Sequence, residues 1–248
     1  MRILELLGFA GGALFAPIAA AGSFLRQARV FHPDGVVYRA VVTVDAQDGP
    51  AKEVAARLAG PALVRLSSAL WKTSGGRARR PDLLGLAIRF RHDPTVSVIA
   101  EQGDQDLLFA TMRSLLTFIP ALFTTNVHSF LADDYYAVGL FDAAELGEVK
   151  WRLITPRIPG GEISRVEALE QAVLSGVAIF ELQARDARAF AEYQPVARIR
   201  LVERVDVDQS ALRFSPFRSG RGIVPRGFVN ALRIVPYPAS QLARAAWK

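Results

Sequence analysis

A chain of 248 residues, 51% hydrophobic and 22% charged, has the apolar content to bury a substantial core and is not a disordered polypeptide. It contains no cysteine, which excludes disulfides, thiolate metal sites, iron–sulfur clusters and cysteine nucleophiles. The formal charge of +6 suits a partner carrying anionic groups, yet basic residues form no long run and Arg77-Ala78-Arg79-Arg80 is only a short cluster, so nucleic acid is not expected.

Taken in order, residues 1–25 are almost wholly apolar, with Leu6 to Ala21 uncharged and Arg2 offset by Glu5. Leu6 to Ala21 is short for a membrane span and holds Pro17 and three glycines. It reads as an apolar arm that packs on the domain or touches a membrane surface. The alternative is a signal segment ending near residue 22. The location follows that choice: cytoplasmic or membrane-peripheral with an arm, periplasmic or secreted with a cleaved signal. Residues 26–248 are expected to form one domain.

Val36–Val44 is a β-rich run, punctuated by Gln47-Asp48-Gly49-Pro50, and residues 51–59 have helical composition stopped by Gly60-Pro61. Strands are expected at Ala62–Ser68, Leu84–Arg91, Asp106–Thr111, Tyr135–Phe141, Val149–Thr155, Val177–Gln183 and Val196–Val207. Between them lie the Gly/Arg/Pro loop Lys72–Asp82, an apolar stretch Met112–Phe123 interrupted at Pro120, a turn at Gly147 and a short helix over Arg165–Leu174. A Gly/Arg/Pro-rich loop, Arg213–Arg226, leads to a terminal helix from Gly227. The fold class is therefore α+β: an eight-stranded antiparallel β-barrel whose mouth holds one ligand, with surrounding helices.

The chemistry-bearing residues gather at the two ends of the chain. On the terminal helix Arg233 and Tyr237 stand four apart, with Arg244 two turns further on. A guanidinium beside a phenol favours the phenolate, a good ligand for ferric iron. Pro236 and Pro238 flank the tyrosine, so the helix is expected to bend there. Far upstream stands Arg29-Val30-Phe31-His32-Pro33-Asp34-Gly35.

Arg29-x-x-His32-x-x-Gly35 leading into a strand resembles the distal-histidine segment of the haem catalases. Val64-Arg65-Leu66-Ser67 resembles the arginine-x-serine element of the next catalase strand, and Asp82–Phe90 (DLLGLAIRF) resembles the family's Arg-Gly-Phe-Ala-Val-Lys-Phe stretch. Phe214-Ser215-Pro216, Val224-Pro225 and then Arg233-x-x-x-Tyr237 with Arg244 follow in the family's order. The resemblance spans residues 29–244 and is vague from about 112 to 212. It points to the small, single-domain catalase-like branch that includes catalase-related peroxidases and allene oxide synthases.

The resemblance implies haem b as cofactor, Tyr237 as the iron ligand and Arg233 holding it as tyrosinate. Arg29, Arg65 and Arg244 would face the haem propionates. His32 would be the acid–base and Ser67 would orient its imidazole. Where catalases carry Asp-Leu-Val-Gly-Asn-Asn, this chain has Asp106-Leu107-Leu108-Phe109-Ala110-Thr111, so Thr111 offers a hydroxyl in place of an amide donor. That loss, with Phe31 before His32, implies a peroxidase with weak hydrogen peroxide dismutation that prefers organic hydroperoxides, and the apolar N-terminus and positive charge point to fatty-acid hydroperoxides among them. A true catalase, a non-catalytic haem-binding protein and a haem-free lipid-binding barrel are the alternatives. The expected partners are the peroxide, a membrane surface met through residues 1–25, and a second copy of the chain in a homodimer.

Overall fold

A computed structural model describes residues 35–71, 78–188 and 191–233, the last two by their backbone only. Eight antiparallel strands close into a barrel, and a few helices pack around it, giving the expected α+β class. The strands are β1 (Val36–Val44), β2 (Gly60–Ser68), β3 (Leu84–Phe90), β4 (Gln105–Ala110), β5 (Tyr135–Tyr136), β7 (Glu148–Ile154), β8 (Ile179–Asp186) and β9 (Gln194–Val205). Each pairs with the next around the ring, except that β1 lies between β2 and β9, and β7–β8 pairing completes it. Two further strands, β6 (Leu140–Ala143) and β10 (Ile223–Arg226), pair with each other, and β6 joins β7 below β5.

Local sequence accounts for these elements. β7 reads Glu-Val-Lys-Trp-Arg-Leu-Ile and buries every second residue, as a strand with one inner face must. Helix α1 (Pro50–Leu58) starts with proline, whose missing N–H and fixed φ suit the first helical position. Helix α2 (Phe118–Thr124) tolerates Pro120 because it falls in the first turn, where amides have no intrahelical acceptor. Helix α3 (Arg165–Leu174) is capped by Ser164, whose hydroxyl accepts from the Glu167 amide at 3.2 Å. Helix α4 spans Gly227–Arg233.

Three expectations are corrected. The strand expected from Ala62 begins two residues earlier: α1 ends at Leu58 with Ala59 as its cap, and Gly60-Pro61, which follow it, already belong to β2. The strand expected over Tyr135–Phe141 is two strands, because Gly139 is pressed against Asn230 of α4, where a β-carbon would come within 2.4 Å of Nδ2. The loop Arg213–Arg226 contains β10, whose partner β6 lies some eighty residues earlier in the chain.

The barrel's interior is a packed core. Trp151, Tyr38, Tyr135, Phe90 and Phe180 are wholly buried within one apolar cluster that draws on every strand of the ring. Each such side chain contributes roughly 1.5–3 kcal/mol through removal from water. Large aromatic rings thus fill the barrel's interior.

Candidate functional site

The outer face of β1–β4 is where three of the sequence-identified residues, Gly35, Arg65 and Ser67, meet. Register fixes three rows across these strands. The first runs Ser67–Gly85–Ala110–Tyr136, the second Val37–Arg65–Ala87–Leu108, the third Arg39–Leu63–Arg89–Asp106. The second and third rows are covered by an apolar layer in which Val37, Leu63, Ala87 and Leu108 meet Leu212, Phe214, Val96 and Val98. Over Ser67, Gly85 and Ala110 the first row carries nothing larger than a methyl or hydroxymethyl group. The result is a row of small side chains, buried at Ser67 and Gly85 and partly exposed at Ala110, bounded by Tyr136, whose ring lies 5.4 Å from the Arg113 guanidinium.

Arg65 and Ser67 are both buried on this face. Arg65 Nη1 donates to Ser67 Oγ at 3.3 Å, and Arg65 Nε donates to Gln209 Oε1 at 3.1 Å. Gly35 enters at the same place. A β-carbon there would come within 2.5 Å of the Leu66 carbonyl oxygen and 3.1 Å of the Arg65 guanidinium. The glycine that closes the Arg29–Gly35 segment is thus needed for close approach to Arg65. Arg29 and His32 themselves lie outside the described residues, as do Tyr237 and Arg244; of Arg233 only the backbone position, at the end of α4, is described.

Thr111 is placed differently from Ser67. Its hydroxyl accepts from the Leu84 amide at 3.1 Å and lies 3.0 Å from Thr125 Oγ1. Thr125 donates its own proton to the Ala121 carbonyl at 2.8 Å, so the proton between the two threonines comes from Thr111. Both hydrogen-bonding functions of the Thr111 hydroxyl are therefore engaged at the end of the β3–β4 pair.

One network was missed in the sequence and proves central. Arg89 and Asp106 are wholly buried and paired fork to fork, Nε to Oδ1 at 2.9 Å and Nη2 to Oδ2 at 3.2 Å. Asp106 Oδ2 also accepts from the Ser215 amide at 2.8 Å and from the Arg218 guanidinium, while Arg89 donates to the Arg213 carbonyl and lies 4.9 Å from the Phe214 ring. Next to it, Gln105 Nε2 donates to the Arg218 and Ile223 carbonyls at 2.8 and 3.1 Å, and its Oε1 accepts from the amides of Arg221 and Ile223. These contacts bind the strap Arg213–Arg226 to the barrel wall and so aim α4. Asn230 completes the attachment, donating to the Leu140 carbonyl at 2.7 Å. A signal existed in the sequence: an arginine on a strand whose neighbours are apolar needs a buried acid, and Asp106 is the acid on the adjacent strand.

Among the described residues no group of three His, Cys, Asp or Glu side chains is placed to hold a metal ion. No family model matches the chain, and no curated protein matches its sequence.

Proposed function

We propose that the chain is a haem-dependent hydroperoxidase, acting on organic, fatty-acid hydroperoxides and dismuting hydrogen peroxide only weakly. The observation that carries the reading is the meeting of Gly35, Arg65 and Ser67 at one end of a strip of small side chains. A planar apolar macrocycle bearing carboxylates needs a wall without bulky side chains and a fixed cation at its edge, and the small residues of this row and Arg65 are of that kind. Bound haem supplies the iron chemistry of O–O cleavage, which the protein's side chains lack.

The chain's own residues bind, orient and move protons. Arg65, with Arg29 and Arg244, holds the propionates, and Tyr237, its charge favoured by Arg233, is the iron ligand. His32 lies three residues before Gly35, so at most ~11 Å of chain separates the two. It takes the proton from one peroxide oxygen and returns it to the oxygen that leaves as water or alcohol. Ser67 orients the imidazole. Weak dismutation follows from Thr111, whose only proton goes to Thr125 and leaves no donor there to orient a second peroxide.

The test is the visible spectrum of the full chain after haem reconstitution. A Soret band is expected, lost in Tyr237→Phe and retained in His32→Ala, which should cleave an organic hydroperoxide about a hundredfold more slowly. Brisk oxygen release from hydrogen peroxide would assign a true catalase instead. No haem uptake at all would end the reading.

A further inference from the structure

Helix α2 presents large apolar side chains to solvent. Ile119 and Phe123 stand four apart on the helix, Leu115 and Leu116 lie in the 3₁₀ turn Leu115–Thr117 that leads into it, and Leu116 is 93%, Ile119 62% and Phe123 58% exposed. The other side of the helix is already used: Ala121, Phe118 and Leu122 pack against Ala69 and Leu83. The exposed side is therefore surplus to the fold, and a contiguous apolar surface of this kind marks an interaction site.

The base of the β2–β3 hairpin is joined to this helix and supplies its rim. The Asp82 amide donates to the Leu122 carbonyl at 3.1 Å, and Arg80 Nη1 to the Phe123 carbonyl at 3.5 Å. Trp71 lies alongside, its indole N–H donating to the Pro81 carbonyl at 3.0 Å and the Arg79 guanidinium 5.9 Å from its ring. Arg79, Arg80 and Arg113 are all exposed. Residues 54–81 and 107–132 contain no aspartate or glutamate. The one acid between those hairpin residues and β3, Asp82, is wholly buried, its Oδ1 accepting from the amides of Ala69, Leu70 and Leu83. Around the apolar ridge, the charge contributed by these segments is positive throughout.

We propose that this surface docks the protein on an anionic lipid bilayer. Leu116, Ile119 and Phe123 enter the acyl boundary, Trp71 sits at headgroup depth, and Arg79, Arg80 and Arg113 meet lipid phosphates. A second copy of the chain is the poorer occupant, because a two-fold contact on this face brings the same arginines together. Contact is with the surface: no helix among the described residues is long and apolar enough to cross a membrane. The inference is independent of haem.

The full chain is sedimented with vesicles of phosphatidylcholine alone and of equimolar phosphatidylcholine and phosphatidylglycerol. Wild type is expected to favour the anionic vesicles, and Leu116→Glu with Phe123→Glu to lower that partitioning about tenfold or more. Arg79→Glu with Arg80→Glu should abolish the preference for anionic lipid. Leu116→Trp, whose side chain stays solvent-facing, should shift its emission to the blue on vesicles and be quenched by brominated lipid. Equal binding by wild type and the glutamate variant would assign any membrane contact to another segment, residues 1–25 included, and overturn the proposal. So would an unquenched tryptophan at 116, no binding by wild type, or a dimer that the glutamate variant alone dissolves while vesicles are ignored.

Discussion

The Arg89 guanidinium grips the Asp106 carboxylate through two parallel hydrogen bonds, at 2.9 and 3.2 Å, with neither side chain reached by solvent. Removing one partner leaves the other charged and buried. Asp106→Ala is expected to cost about 3–5 kcal/mol, read as a lower urea midpoint. Because Asp106 also holds Ser215 and Arg218, trypsin should cut first after Arg213 or Arg218 in the variant. A variant with wild-type stability and an uncut strap would contradict this placement.

Gly35 makes a sharper test of close approach. Gly35→Ala sets a methyl group 2.5 Å from the Leu66 carbonyl oxygen, so β1 and β2 have to part at their ends. A loss of about 1–3 kcal/mol is expected in thermal unfolding, whereas Gly161→Ala, with open space around its β-carbon, should change little.

Two buried phenols should respond oppositely to loss of the hydroxyl. The Tyr135 hydroxyl donates to the Phe130 carbonyl at 2.9 Å, and Tyr135→Phe should destabilise by about 1 kcal/mol. Among the described residues the buried Tyr38 hydroxyl has no hydrogen-bond partner, so Tyr38→Phe should be neutral or stabilising by up to about 1 kcal/mol. Equal losses in chemical denaturation would sink the distinction.

The same residues set an alkaline limit. Burial, with the nearby Glu170 carboxylate, pushes Tyr38 up to about 12, and burial pushes Tyr135 up as well. Below pH ~10 both phenols are neutral in the folded and unfolded chain, so their contribution is fully present. As pH rises further the unfolded chain releases these protons while the folded one retains them, and stability falls. Phenolate absorbance from the two should therefore appear together with loss of the barrel's circular dichroism. Ionisation of all tyrosines near pH 10 in a folded barrel would be the contrary result.

The strip itself can be filled. Ala110→Leu adds a branched side chain to the row Ser67–Gly85–Ala110 at a partly exposed position. The barrel should melt within about 1 kcal/mol of wild type, while haem titration should show at least about tenfold weaker uptake. Undiminished uptake would move the cofactor elsewhere.

Alternation of apolar and polar residues made the ring legible, since each strand has one face turned to a common core; β7 and β9 are the plainest cases. Helix α3 was readable to its end residues because its cap and its apolar spacing are both local. What stayed hidden depended on distant partners. Nothing in Tyr135–Phe141 reveals that Asn230 arrives at Gly139, and β10 is a strand only because β6 is there to pair with it. Motif spacing singled out Arg65, Ser67 and Gly35, which the fold brings side by side. It could not reveal that the Thr111 hydroxyl is engaged by Leu84 and Thr125, which a hydroxyl's identity alone leaves undecided.

The strap Arg213–Arg226 has a temporal meaning. Its Ser215 amide bonds a residue 109 positions earlier, and its Ile223 amide one 118 positions earlier. During synthesis Gln105 and Asp106 emerge long before these partners exist, and loop closure over such a span is slow. The first four strands can associate beforehand, but the carboxylate of Asp106 stays hydrated until the strap lands and displaces its water. Docking of the strap is therefore a late step in building this wall, and α4 takes its direction only then.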